Sequence, residues 1–203
     1  MNSNDWEKIN LRDLKDVNPE DLKNYVNTEF DKTFEPSLEE FIRIPNLSPA
    51  YDPEWKTNGK LKQAAEHLKN FAEQIGIKGL KTTLFGDQET TPLLFININA
   101  SEQTDKTVLM YGHFDKQPAF TGWDINKGPT IPIIQDGRLY GRGSSDDGYA
   151  LYSALLSIKA LQKLSISHPK IKIIIEGDEE SGSVDLPEYL ERLKVNFFLV
   201  SIF

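Results

Sequence analysis

The chain has 203 residues, a formal net charge of −8 and a hydrophobic content of 38%, enough apolar material for one domain with a real core. No Lys/Arg cluster offers a nucleic-acid footprint, and the absence of cysteine excludes disulfides, thiolate zinc sites and thiol nucleophiles, so a metal site has to use His, Asp and Glu. The opening MNSNDWEKIN lacks the basic start and apolar run of a secretory signal, no stretch approaches the ~20 apolar residues of a membrane span, and a soluble, cytoplasmic protein is expected.

In chain order, residues 1–34 are polar and charge-rich, and Pro19, Glu20 and Asp21 open a helix with Leu22, Tyr25, Val26 and Phe30 on one stripe. A short helix is predicted over residues 36–44, with Leu38, Phe41 and Ile42 inward and Pro45 as its stop. The three prolines of IPNLSPAYDPEW make an irregular loop. A longer helix follows over 59–76, with Leu61, Ala64, Ala65, Leu68, Phe71, Ala72 and Ile75 at helical spacing and Gly76 as its C-terminal cap. His67 lies off that stripe and reads as a solvated surface residue.

Strands are predicted over 82–85, 93–98 and 108–111, the last fully buried, and the short polar turn between the second and third suggests an antiparallel pair. The segment after Pro118 reads as loop, with a turn at Asp136-Gly137. Ser144, Ser145, Asp146 and Asp147 are good N-cap residues for an apolar helix over 148–163. An exposed His168 then precedes a strand over 170–176, and Asp185 with Glu188 reads as a capping box. Residues 195–203, VNFFLVSIF, start as another buried strand. The pattern indicates an α/β sandwich with a largely covered sheet.

Three acidic sets follow the predicted elements: His113/Asp115, Asp146/Asp147 and Asp178/Glu179/Glu180. His113 and Asp115 stand two residues apart, so in an extended chain both project from one face. Crowded carboxylates repel and raise one another's pKa, and a divalent cation resolves the crowding. Zinc accepts His nitrogen and carboxylate oxygen, one carboxylate can bridge two ions, and a nearby Glu can take a proton from a water they activate. Spacing alone leaves open that Asp146/Asp147 are helix caps, that Asp178 to Glu180 form a solvated acidic turn, and that Arg142 is a surface arginine.

The motifs narrow this. GHFDKQP resembles the G-H-x-D-x-x-P motif of the zinc-dependent metallopeptidase family that includes carnosinase, cytosolic dipeptidase, aminoacylase, glutamate carboxypeptidase and succinyl-diaminopimelate desuccinylase. GRLYGRGSSDD is similar to that family's LYGRGxxDDKG, and EGDEESGS to its EGxEESGS, with IPNLSP and Gly122-Trp123 in the usual order. The resemblance implies a three-layer α/β sandwich with a mixed, mostly covered sheet, of the zinc exopeptidase type. It implies that His113 binds one zinc, Glu180 the other, and Asp146 bridges both. Glu179 would be the general base and Asp115 would orient His113. The implied reaction is hydrolysis of the amide bond of a dipeptide or N-acyl amino acid, with Zn2+, or Mn2+ or Co2+, as cofactor, no nucleic-acid or membrane partner, and a homodimer for full-length members.

The chain departs from the pattern in two places. Gly148 follows Asp147 where the family usually has lysine, and Phe203 stands where the family's next strand leads into an aspartate ligand. The expectation is therefore a truncated chain: an N-terminal helical extension over 1–35, and over 36–203 the N-terminal half of a catalytic domain without its lid and dimerisation domain. The alternatives are an inactive remnant or non-catalytic module that keeps the fold, and a mononuclear metal protein using His113, Asp146 and Glu180.

Overall fold

A computed structural model of the chain describes residues 17–101 and 103–197. Helix α1 (Pro19–Glu29) starts where the Asn18 side chain accepts the Glu20 N–H at 3.0 Å. It runs through a π-helical turn, Phe30–Phe34, directly into α2 (Glu35–Arg43). Residues read as two separate helices are thus one continuous rod. The wide turn lies just before Pro36, which cannot donate to the helical ladder. Leu38, Phe41 and Ile42 are buried, and Ile44, before Pro45, turns extended.

A 3-10 turn (Pro49–Tyr51) and the short α3 (Trp55–Asn58) lead through Gly59, at φ 71°, into α4 (Lys60–Gln74). Its inner face is Leu61, Ala64, Ala65, Leu68 and Ala72, and Gly76 has the positive φ expected of it.

The main sheet contains β1 (Leu80–Phe85), β2 (Leu93–Ile98), β3 (Thr107–His113) and β6 (Lys170–Glu176), in the order β1-β2-β6-β3. The first two joins are antiparallel and the last is parallel. The hairpin expected between β2 and β3 does not form, because β6 lies between them. Six consecutive residues of β6, Ile171 to Glu176, are buried, the pattern of a strand covered on both faces and paired on both sides. Among the described residues β3 occupies the edge instead. Its Val108, Leu109 and Tyr111 are 39%, 44% and 51% exposed, so the strand was read correctly but its burial was not.

Leu94, Ile96, Ile98, Ile171, Ile173 and Ile175 face a core shared with α2, α4 and α5 (Tyr149–Lys163). Leu93, Phe95 and Ile174 face the other way, against Tyr189 and Leu193 of α6 (Leu186–Phe197). Period-two alternation thus gives two cores on either side of a mixed sheet, and the three-layer expectation holds. The strand expected from Val195 does not: residues 195–197 belong to α6, and 198–203 lie outside the described residues. A short apolar run does not by itself distinguish strand from helix.

The segment read as loop contains a hairpin, β4 (Ile133–Gln135) and β5 (Arg138–Tyr140), turning on Asp136 (φ 52°) and Gly137 (φ 71°). Two successive positive φ values mark a type I′ turn, for which Asp-Gly is the standard pair. No described helix is long and apolar enough to cross a membrane.

Candidate metal centre

Parallel pairing places the carboxyl ends of β3 and β6 together, with His113 opposite Glu176. Ligand sites of α/β sheets form at such ends. Phe114 N–H donates to the Glu176 carbonyl at 2.8 Å, and the chain beyond Glu176 folds into the 3-10 turn Glu179–Ser181. Gly177 is required here, because a Cβ would lie 2.5 Å from the Phe114 ring.

Asp115 organises the centre. It is 0% exposed, and its two oxygens accept the backbone N–H groups of Glu179 at 3.1 Å and Glu180 at 3.0 Å. The His113 Nδ1 atom lies 3.2 Å from the Asp115 carbonyl and 3.3 Å from its Oδ1. That leaves Nε2 facing Asp146 Oδ1 at 3.2 Å and Glu179 Oε2 at 3.7 Å. Burial pulls the His113 pKa down, but the hydrogen bond and charge of Asp115, with Asp147 and Glu179, outweigh it and raise it to about 9. Burial and neighbouring carboxylates raise Asp147 and Glu180 above the usual carboxylate range. Partly desolvated carboxylates gathered around one imidazole suit a cation.

His113, Glu179 and Glu180 each offer a ligand atom, all within 4.8 Å of one another. Asp146 touches His113, but its side chain is 66% exposed and it does not join that group. The sequence-predicted residues thus separate: His113, Glu179 and Glu180 converge, Asp115 lies behind them, and Asp146 stands at the rim. The donor set of one imidazole and carboxylates suits a divalent ion of the zinc type.

Asp146 and Asp147 do not cap α5. Its N-cap is Gly148 and no side chain caps it. Asp147 instead accepts the His113 N–H at 3.2 Å. Asp185 turns its Oδ2 to the Thr91 N–H and hydroxyl, at 2.7 and 2.8 Å.

Sequence reasoning gave no role to Gln117, whose amide donates to Glu180 Oε2. The signal was present, since residues 113, 115 and 117 share a period of two. It also missed the supports behind the site. Asn46 Nδ2 donates to the Phe114 carbonyl at 2.6 Å, and Ser181 Oγ accepts the Ala50 N–H at 2.8 Å beside Ser48. Lys116 is buried and donates to the carbonyls of Phe41, Ile42 and Ile44 at the end of α2. The other histidines are corrections. His67 is half-buried and bonds the Ser37 carbonyl and the Tyr152 hydroxyl, at 2.9 and 3.2 Å. His168 is buried, with its ring nitrogens 2.9 Å from the Pro169 carbonyl and 3.1 Å from the Gln162 amide.

Residues 109–203 match the profile of Peptidase family M20/M25/M40. The human Beta-Ala-His dipeptidase is 30% identical over 86% of this chain and 35% of its own length. The Cys-Gly metallodipeptidase DUG1 of Candida albicans is 29% identical over 97% of this chain and 40% of its own. The crystal structure of human carnosine dipeptidase 1 superposes with a TM-score of 0.69 at 27% identity, covering 90% of this chain and 40% of that one. The chain therefore spans 35–40% of the length of these curated relatives. The motif order, the mixed sheet and these likenesses agree: the chain is similar to Peptidase family M20/M25/M40, whose profile its residues 109–203 match.

Proposed function

We propose that the chain, residues 36–203 above all, forms part of a metal-dependent peptidase that hydrolyses the amide bond of dipeptides or N-acyl amino acids. The observation that carries the reading is the convergence of His113, Glu179 and Glu180 within 4.8 Å, with the buried Asp115 behind two of their backbones and the imidazole. The dipeptidases among the relatives support the substrate class.

His113 would hold one ion, Glu180 a second, and Asp146 would bridge them, with zinc as the ion and Mn2+ or Co2+ as substitutes. Bound there, divalent cations supply Lewis acidity toward a water and the scissile carbonyl. Asp115 keeps Nδ1 of His113 engaged, so that Nε2 faces the site. Gln117 fixes one oxygen of Glu180. Glu179 accepts a proton from water as the new C–O bond forms, and delivers it to the amine nitrogen as the C–N bond breaks. The products are a carboxylic acid and an amine. A homodimer and a cytoplasmic location complete this reading for the whole protein.

The other reading, a non-catalytic remnant, draws on Asp146 standing outside the mutual donor group. Elemental analysis of chelator-free, gel-filtered protein separates the two. About two zincs per chain, with hydrolysis of a dipeptide, supports the enzyme. A metal content near zero supports the remnant.

A further inference from the structure

We propose that Lys116 is a positioning residue for the metal centre: held by the carbonyls that end α2, it supports the loop of residues 141–148 and so fixes Asp146 and Asp147 beside His113. The proposal rests on the peptidase reading in one element, the role of Asp146 toward metal.

Lys116 is 2% exposed, and its backbone is pinned to the segment after α2. Its N–H donates to the Asn46 carbonyl at 3.1 Å, and its carbonyl accepts the Ser48 N–H at 3.0 Å. The side chain turns inward. Its Nζ donates to the Phe41 and Ile44 carbonyls at 2.9 and 2.7 Å, and to that of Ile42 at 3.4 Å. It also lies 4.2 Å from the centroid of the Phe41 ring. Among the described residues no ion pair includes it. Burying an ammonium costs more than burying an apolar side chain of similar size. What the ammonium adds is direction: the last carbonyls of a helix carry partial negative charge, and three acceptors fix Nζ and the stem that leads to it.

The loop rests on that stem. A Cβ on Gly143 would lie 2.6 Å from Lys116 Cε and 3.2 Å from the Phe41 ring. One on Gly148 would lie 2.0 Å from the Gly143 carbonyl oxygen and 2.6 Å from the same ring. Gly143 and Gly148 bracket the two aspartates, and no side chain fits at either, so the backbone lies directly against Lys116 and Phe41. Position 148 therefore has no room for the lysine of the family motif. From this seat Asp147 accepts the His113 N–H at 3.2 Å, and Asp146 Oδ1 stands 3.2 Å from Nε2 of His113. The Asp146 side chain is 66% exposed and has little packing of its own, so its place depends on the loop beneath it.

The test follows single backbone amides by hydrogen exchange and NMR, in protein stripped of metal over a chelating resin. The His113 N–H reports Asp147. The neighbouring Phe114 N–H, bonded to the Glu176 carbonyl at 2.8 Å, reports the sheet. Lys116→Met keeps most of the stem and removes the three bonds. It is expected to speed exchange of His113 at least tenfold more than that of Phe114. Gly143→Ala, which pushes the loop off the stem with Lys116 intact, is expected to do the same. A lysine that only stabilised the fold would change both amides by one factor. That result in Lys116→Met, or unchanged exchange at both amides, overturns the proposal. If Lys116→Met does not fold, Gly143→Ala decides alone by the same comparison. The measurement needs no metal, and metal content before stripping tests the peptidase reading separately, so either can fail without the other.

Discussion

Asp115 stands 3.3 Å from Nδ1 of His113 and is wholly shielded from solvent. A buried carboxylate in that position fixes the imidazole's tautomer and orientation. It also accepts two backbone N–H groups, so Asp115→Asn presents an amide nitrogen where at least one acceptor is needed. The variant should lose about 10- to 100-fold in zinc affinity and about 1–3 kcal/mol in stability. Competition with a zinc indicator and urea unfolding measure the two losses. A variant that kept both would show that Asp115 is not the organising group.

Glu179 and Glu180 are adjacent but are assigned different work. Glu179→Gln should reduce dipeptide turnover by about 10²–10⁴-fold while leaving metal content near that of the parent. Glu180→Gln should lower metal content itself. The assay is turnover and elemental analysis on the same preparations, and identical behaviour of the two variants would contradict the division of roles.

Lys116 links stability to pH. Burial pushes its ammonium down to about 7 from an ordinary 10.5. Between these values the unfolded chain binds more protons at this site than the folded one, so its contribution to stability rises with pH and levels off above about 10.5. The slope approaches about 1.4 kcal/mol per pH unit inside that window. Lys116→Met removes the titration together with the bonds to the Phe41, Ile42 and Ile44 carbonyls. The substitution should therefore cost less near pH 7 than near the upper end of the window, as read from urea midpoints in parallel. An equal cost at both pH values would contradict the shift.

Gly112 is where β3 meets the start of α5. A Cβ there would lie 2.7 Å from the Ala150 Cβ and 2.8 Å from Asp147 Oδ2. Gly112→Ala should destabilise the chain by about 1–3 kcal/mol through overpacking. Thermal unfolding gives the loss, and an unchanged Tm would mean that α5 moves without cost.

Most of the helices and the strands β2 and β6 were legible because hydrophobic period and breakers agree there: Leu61 to Ala72 between Gly59 and Gly76, or Lys170 to Glu176 before Gly177. The candidate donors were legible through three motifs in order. Strand order was not. The turn at 100–106 is short enough for a hairpin, and only the all-round burial of Ile171 to Ile175 shows that β6 takes the middle place. His67 and His168 were misread because their partners, Ser37, Tyr152 and Gln162, come from other elements or sit across a turn. Arg142 stayed undecided in sequence because its Phe120 neighbour leaves no local pattern.

The parallel join of β3 to β6 also bears on how the chain folds. Asp115 and the Glu180 amide that it accepts are separated by 65 residues. Bringing them together requires the β3–α5–β6 crossover to close first, and long-range closure of this kind is entropically slow. The centre therefore does not assemble before that crossover closes. A zinc indicator present during refolding would report completion of the crossover, later than the gain of helix by circular dichroism.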